Sequence, residues 1–281
     1  MTETKHKKRR GITLVLGGGG ARGLAHIGVI EVLEEHRIPI ERVVGTSAGA
    51  LIGGMFCAGK LKETKEFFLK MKKWDIFKSL FSLPSASHLF NSKIIDAKLC
   101  EYTKGIKIED LKKHFVAVAF DIVNGRRVIF DRGELFDAIR SSISIPGIFK
   151  PFQKGESLLV DGGVTDNLPV DVAKKYSKKH KIVAVNVGSS PGEKIKSFNF
   201  INVLNYASYF QTRELSRLQE RQADIVIRPN VKVGTFDFQH AKEIINIGRM
   251  AAKRAIPAIK LALEEEKLKE ELHVTETKVI S

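Results

Sequence analysis

Two cysteines in 281 residues, Cys57 and Cys100, are too few for a disulfide framework and suit a reducing compartment. The basic N-terminus is not followed by an apolar core with a small-residue cleavage site, so no secretory leader is expected and a cytoplasmic location is. The longest uncharged stretch, Val43 to Gly59, is short for a bilayer and rich in glycine, which predicts no transmembrane helix. Helix-turn-helix, zinc-ligand spacing and the aromatic signature of RNA-binding sheets are all missing, so specific nucleic-acid binding has no support beyond charge. Internal repeats and low-complexity linkers are missing as well.

Acid is scarce, and that shortage is the first positive signal. Against 47 Lys and Arg there are 32 Asp and Glu, a net charge of +15. Such an excess draws the chain to polyanions, including anionic lipid surfaces. Residues 1–10 carry five of the bases and residues 60–80 carry seven lysines. The second stretch also holds Phe67, Phe68, Met71, Trp74, Phe77 and Phe81, a mixture found in interfacial segments. A solvated helix with an ordinary core face accounts for it equally well. Peripheral contact with an anionic membrane is therefore an open expectation, as is an oligomer.

The order of elements predicts an α/β fold. Ile12 to Leu16 is a buried strand running into Gly17–Gly20, and Ala21 to His36 has helical apolar spacing. A second strand, Arg42 to Val44, enters Gly45-Thr46-Ser47-Ala48-Gly49, and a helix follows to about Ala58. Strand, helix, strand, helix implies a parallel sheet with its site at the carboxyl ends of the strands. Residues 60–113 read as mainly helical, with a break near Pro84. Further strands are expected at Phe115–Phe120, Arg127–Phe130, Leu158–Val160, Ile182–Val187 and Ile225–Ile227. Helices are expected from Ile201 to Gln222 and from Ala241 to Leu272, the last kinked or broken at Pro257. The domain reading is a basic tail 1–10, one catalytic domain 11–255 and a charged helical tail 256–281.

Three segments carry chemistry. Gly45 to Gly49 fits G-x-S-x-G, a sharp strand-to-helix turn that lifts Ser47 from the sheet edge. The helix start behind it offers backbone N–H groups to a developing oxyanion. Gly18-Gly19-Gly20-Ala21-Arg22-Gly23 also matches a dinucleotide fingerprint. The second strand, however, ends in Gly45-Thr46-Ser47, where an acidic ribose ligand is required. No Gly-Lys-Ser/Thr follows, which removes a phosphate-binding P-loop. What remains is an amide-rich turn with the positive Arg22 beside it. Asp161 closes a strand ahead of Gly162 and Gly163, exposing a carboxylate at the same edge. A serine hydroxyl needs a base, and a carboxylate in a dry site can serve. His180, His240 and His273 follow Asp161, so a histidine-assisted triad stays open, with His240 the most plausible of the three. His26 reads as local packing or a hydrogen bond.

Together these segments resemble the patatin-like phospholipases of short bacterial type over roughly residues 11–255. Arg140-Ser141-Ser142-Ile143-Ser144-Ile145-Pro146 is similar to the family's third block, with Ser141 where alanine is commoner. Asp161-Gly162-Gly163 continues through Asp166-Asn167-Leu168-Pro169 as the family's aspartate motif does. The resemblance implies a three-layer sandwich around a mainly parallel sheet, and a lipid acyl ester hydrolase of phospholipase A or lysophospholipase type. It implies Ser47 as nucleophile and Asp161 as base. The oxyanion is assigned to Gly18, Gly19, Gly20, Arg22 and Ala48, with Gly45, Gly49, Gly162 and Gly163 supporting the turns. It implies no metal and no organic cofactor. The alternative it leaves is a non-catalytic, regulatory protein of the same fold that binds lipid or membrane.

Overall fold

The structure, a computed structural model, describes residues 11–71, 93–177, 180–188 and 200–280. An eight-stranded sheet lies at its centre, comprising β1 (Ile12–Leu16), β2 (Ile40–Thr46), β3 (His114–Asp121), β4 (Arg126–Phe130), β5 (Phe152–Lys154), β6 (Ser157–Asp161), β7 (Lys181–Val185) and β8 (Ile225–Ile227). β3, β2, β1, β7 and β8 run parallel in that order, while β4, β5 and β6 complete the sheet in antiparallel pairings. Every residue of β1 is buried, as an interior parallel strand covered on both faces requires.

Alternation along the strands divides the core into two layers. Ile12, Leu14, Leu16, Val43, Phe115 and Ala117 join one cluster with α1 (Ala25–Glu35), α2 (Ala48–Cys57) and the last helix. Val15, Val44, Val116 and Val118 join the other, under Leu168, Val170, Val172 and Ala173. The remaining helices are α3 (Leu61–Lys70), α4 (Lys93–Thr103), α5 (Leu135–Ser142), α6 (Val170–Tyr176), α7 (Phe200–Glu220) and α8 (Ala241–Ile280).

Three expectations change. The helix expected from Ala21 divides into a 3-10 turn, Gly20–Leu24, and α1, because Gly20 takes φ 58° and the Ala21 N–H donates to Thr235 O at 2.8 Å. α8 continues through Pro257 without a break. Pro257 lies on the exposed face, where water can satisfy the carbonyl freed one turn earlier. α8 also keeps Ile256 and Ile259 in the core. Finally, α5, β5 and α6 occupy stretches with no expected element; each is eight residues or shorter.

Much of the basic, aromatic segment, including Trp74, Phe77 and Phe81, lies outside the described residues, as does the tail 1–10. Its described part, α3, turns Phe68 inward against Phe238, with ring centroids 5.5 Å apart. No helix among the described residues is long and apolar enough to cross a membrane.

Candidate active site

The register of β3 brings the two key strands end to end. β2 pairs with β3 as far as Thr46 opposite Val118. β6 pairs with the next stretch of β3, Asp161 lying opposite Ala119. β4 occupies the other edge of β3 from Ala117 to Asp121, so β2 and β6 must share one edge, running toward each other. Ser47 follows Thr46 and Asp161 closes β6, which places hydroxyl and carboxylate face to face one β3 residue apart. The Ser47 hydroxyl lies near enough to the Asp161 carboxylate to favour its charged form.

Ser47 has φ 56° and ψ −125°, a conformation that side-chain-bearing residues rarely adopt. Its neighbours allow the turn to close. A Cβ on Gly45 would fall 2.6 Å from the Gly49 carbonyl, and one on Gly49 would fall 2.0 Å from Leu16 O. The Ser47 N–H donates to Ser142 Oγ at 2.8 Å, and Ser142 Oγ donates to Val118 O at 2.6 Å. A strained residue persists where its surroundings over-determine it, and Ser142 supplies one of those ties.

Asp161 is 5% exposed. Burial disfavours its charged form and pushes its pKa up to about 6, against the opposing pull of the Ser47 hydroxyl and the Gly163 N–H, which donates at 2.7 Å. Its own N–H donates to Ser144 O at 2.9 Å. The Arg140–Pro146 block therefore holds both partners, Ser47 through Ser142 and Asp161 through Ser144.

The glycine loop meets them from β1. Gly18 does not supply an amide to the site, because its N–H donates to Asn167 O at 2.9 Å. This removes Gly18 from the expected donor set and gives it a spacing role: a Cβ there would lie 2.3 Å from Asn167 Oδ1 and 3.0 Å from Ser47 Cβ. The N–H groups of Gly19, Gly20 and Ala48 make no hydrogen bond among the described residues. Arg22 is buried, directs its guanidinium to Val233 O at 3.4 Å and lines the same cleft as Ser47 and Asp161.

The histidines stand apart. His26 donates Nε2–H to Gly17 O at 2.8 Å, and full burial lowers its pKa to about 4, so it is neutral and braces the loop. His240 is exposed and faces Glu243 at 3.4 Å. No described histidine lines either cavity that reaches Ser47. The side chain of His273 lies outside the described residues.

Two cavities meet at Ser47. One is an apolar tunnel between α2, α3 and α4, walled by Leu51, Ile52, Met55, Phe67, Phe68 and Leu99. The other is a cleft of mixed lining, where Arg22, Asp161, Asn167, Gln211, Thr212 and Arg213 stand among Ile145, Pro146, Ile148, Val164 and Phe236. Ser47, Gly20, Ile145 and Phe236 belong to both.

The model of the patatin-like phospholipase family matches residues 14–174, more than half of the chain. The chain belongs to the patatin-like phospholipase family. Ser47 and Asp161 both fall inside the matched range. An uncharacterized NTE family protein of Mycobacterium tuberculosis strain H37Rv is 41% identical over 160 residues, 57% of this patatin-like chain and 44% of that protein. The neuropathy target esterase of Drosophila melanogaster is 36% identical over 185 residues, 63% of this chain and 13% of its own length. A lysophospholipase of Debaryomyces hansenii is 34% identical over 190 residues, with coverages of 63% and 12%. This chain thus spans less than half the length of these relatives. Among solved structures, VipD from Legionella pneumophila aligns over 89% of this chain and 67% of its own with a TM-score of 0.51 at 14% identity, a likeness of fold.

The hydrogen-bonding roles of Ser142, Ser144 and Asn167 were not legible beforehand. Ser142 and Ser144 sit in the quoted third block and Asn167 in the aspartate motif. Their partners, however, lie 95, 17 and 149 residues away in sequence, which no local pattern encodes.

Proposed function

We propose that this patatin-like protein hydrolyses acyl esters of lipids through an acyl-enzyme on Ser47, with Asp161 as the base. One observation carries the reading: Ser47, on a strained strand-to-helix turn, faces a buried carboxylate whose pKa is raised to about 6, between an apolar tunnel and a cleft with two arginines on its wall. A base with a pKa near working pH is both available and strong enough to take a proton in the transition state. The names of relatives, an esterase and a lysophospholipase, support the same class of reaction.

In this reading Asp161 takes the Ser47 proton as Oγ attacks the ester carbonyl. The negative charge on the carbonyl oxygen is received by the N–H groups of Gly19, Gly20 and Ala48, which make no other hydrogen bond among the described residues. Arg22 adds positive charge nearby. As the tetrahedral species collapses, the C–O bond to the alcohol breaks and Asp161 returns its proton to the leaving oxygen. Asp161 then deprotonates a water, which attacks the acyl carbonyl. Fatty acid leaves and the proton goes back to Ser47. The acyl chain lies in the tunnel and the alcohol half in the cleft, each matched by the polarity of its walls.

The cleft rim is the side presented to lipid. Val164, part of the cleft lining, is 44% exposed, and the charge of +15 favours an anionic surface. The test is hydrolysis of p-nitrophenyl esters by Ser47→Ala. Loss of at least about a thousandfold in kcat with an unchanged circular dichroism spectrum is expected. Unchanged turnover refutes the assignment and returns the protein to the non-catalytic alternative.

A further inference from the structure

The two cavities at Ser47 differ in how their cations are used. In the tunnel, Lys98 is neutralised by Glu101 at 2.7 Å. In the cleft, the charged lining among the described residues is Arg22, Arg213 and Asp161, two guanidinium groups against one buried carboxyl. Arg213 is half-buried on α7 and makes no hydrogen bond or ion pair among the described residues. Its surroundings do not lack acid. Glu214, next in sequence, pairs with Arg217 at 2.7 Å, and Glu220 pairs with Arg228 at 2.9 Å. These carboxylates pair with other arginines, and among the described residues Arg213, which also lines the cleft, has no carboxylate partner.

The same turn of α7 is tied to the loop after Asp161. Thr212 Oγ1 reaches Gly163 O at 3.5 Å, and Asn167 Nδ2 lies 3.4 Å from Ser216 Oγ. Arg213 is therefore carried on an element referenced to the site and not on a free surface. Partial burial of an unpaired guanidinium costs solvation that an anionic ligand restores, and its planar fork matches phosphate oxygens in two-point contact.

We propose that Arg213 is a specificity residue that receives a phosphate on the alcohol half of the substrate, so that the preferred ester is a phosphate-bearing lipid with its acyl chain in the tunnel. This deepens the hydrolase reading and rests on it. The competing source of the same chemistry is free phosphate, which has no chain for the tunnel.

The experiment compares wild type and Arg213→Ala on two dispersed substrates with one acyl chain, lysophosphatidylglycerol and the matching monoacylglycerol. The ratio of kcat/KM for the first over the second is expected to fall about tenfold in the variant, mostly through KM, and to recover in part in Arg213→Lys. An unchanged ratio overturns the proposal. Inorganic phosphate is added as competitor of p-nitrophenyl ester turnover. Potent inhibition of wild type but not Arg213→Ala, with no change in the lipid ratio, assigns the site to free phosphate and also overturns it. A second readout is independent of turnover: lysophosphatidylglycerol binding to Ser47→Ala should weaken about tenfold when Arg213→Ala is added, and equal affinity contradicts the proposal. Should Ser47→Ala retain turnover, the hydrolase reading fails, while this binding comparison still judges Arg213.

Discussion

On one side of Ser47 the walls are apolar, with Leu51, Met55, Phe67 and Phe68; on the other, Arg22, Asn167, Thr212 and Arg213 are set among apolar residues such as Ile148 and Val164. An ester divides in the same way, into an acyl chain that gains from leaving water and an alcohol that keeps its polar contacts. The contrast also explains the acid. Asp161 sits on the more polar side yet is almost wholly buried; it accepts from the Gly163 amide and faces the Ser47 hydroxyl instead of a cation. Asp166, five residues on, is as deeply buried but bridges to Arg127 at 2.5 Å, which also holds Asp171 at 2.9 Å. Burial and the neighbouring Asp171 carboxylate push Asp166 up to about 7 as well, so what separates the two is place: Asp161 lines the cleft at Ser47 and Asp166 does not.

The largest effect that would break this picture is expected from Asp161→Asn. Removing the base should lower kcat for p-nitrophenyl butyrate by about a thousandfold. The same change should stabilise the fold. The folded pKa of Asp161 is raised above its ordinary value, so its charge is a burden fully present above about pH 6 and absent below the unfolded value. Asn should therefore raise stability by roughly 1–3 kcal/mol at pH 8 and by little at pH 4. Denaturant titrations at both pH values decide it, and destabilisation at pH 8 contradicts the account.

Next in size is pH itself. kcat/KM of the wild type should fall about tenfold per pH unit below the Asp161 pKa, with its midpoint near 6. A midpoint below 5 means that the base is less buried than described.

Narrowing the tunnel sharpens the comparison. Leu51→Trp should reduce turnover of a palmitoyl ester about tenfold relative to a butyryl ester. Equal losses on both would show that the acyl chain lies elsewhere.

The smallest effect is expected at Ser142→Ala, which strands the Ser47 N–H and the Val118 carbonyl. A loss on the order of 2 kcal/mol in stability is expected, with kcat lowered less than tenfold. Unaltered stability would mean that the elbow does not depend on this tie.

Both interacting residues could be named from the sequence, because each sits in a pattern whose turn chemistry is local. Gly45 and Gly49 flank Ser47, and Gly162 and Gly163 follow Asp161. Apart from β5, the strands of the sheet were legible as short apolar runs, β1 and β6 ending directly at glycines. What could not be read was anything set by distant pairing. The loss of Gly18 as a donor depends on Asn167 O, the shared edge of β3 depends on register, and the two cavities depend on side chains from four helices. That α8 runs on past Pro257 was not legible either, because the position of Pro257 on the exposed face is a tertiary fact.

The central claim is that Ser47 is activated by Asp161, and covalent labelling tests it most directly. Wild type, Ser47→Ala and Asp161→Asn are treated with a fluorophosphonate at pH 8 and weighed intact. A single adduct mapping to Ser47 is predicted for wild type, none for Ser47→Ala, and labelling slowed by at least about a hundredfold for Asp161→Asn. Wild type that stays unlabelled, or Asp161→Asn that labels at the wild-type rate, contradicts the account.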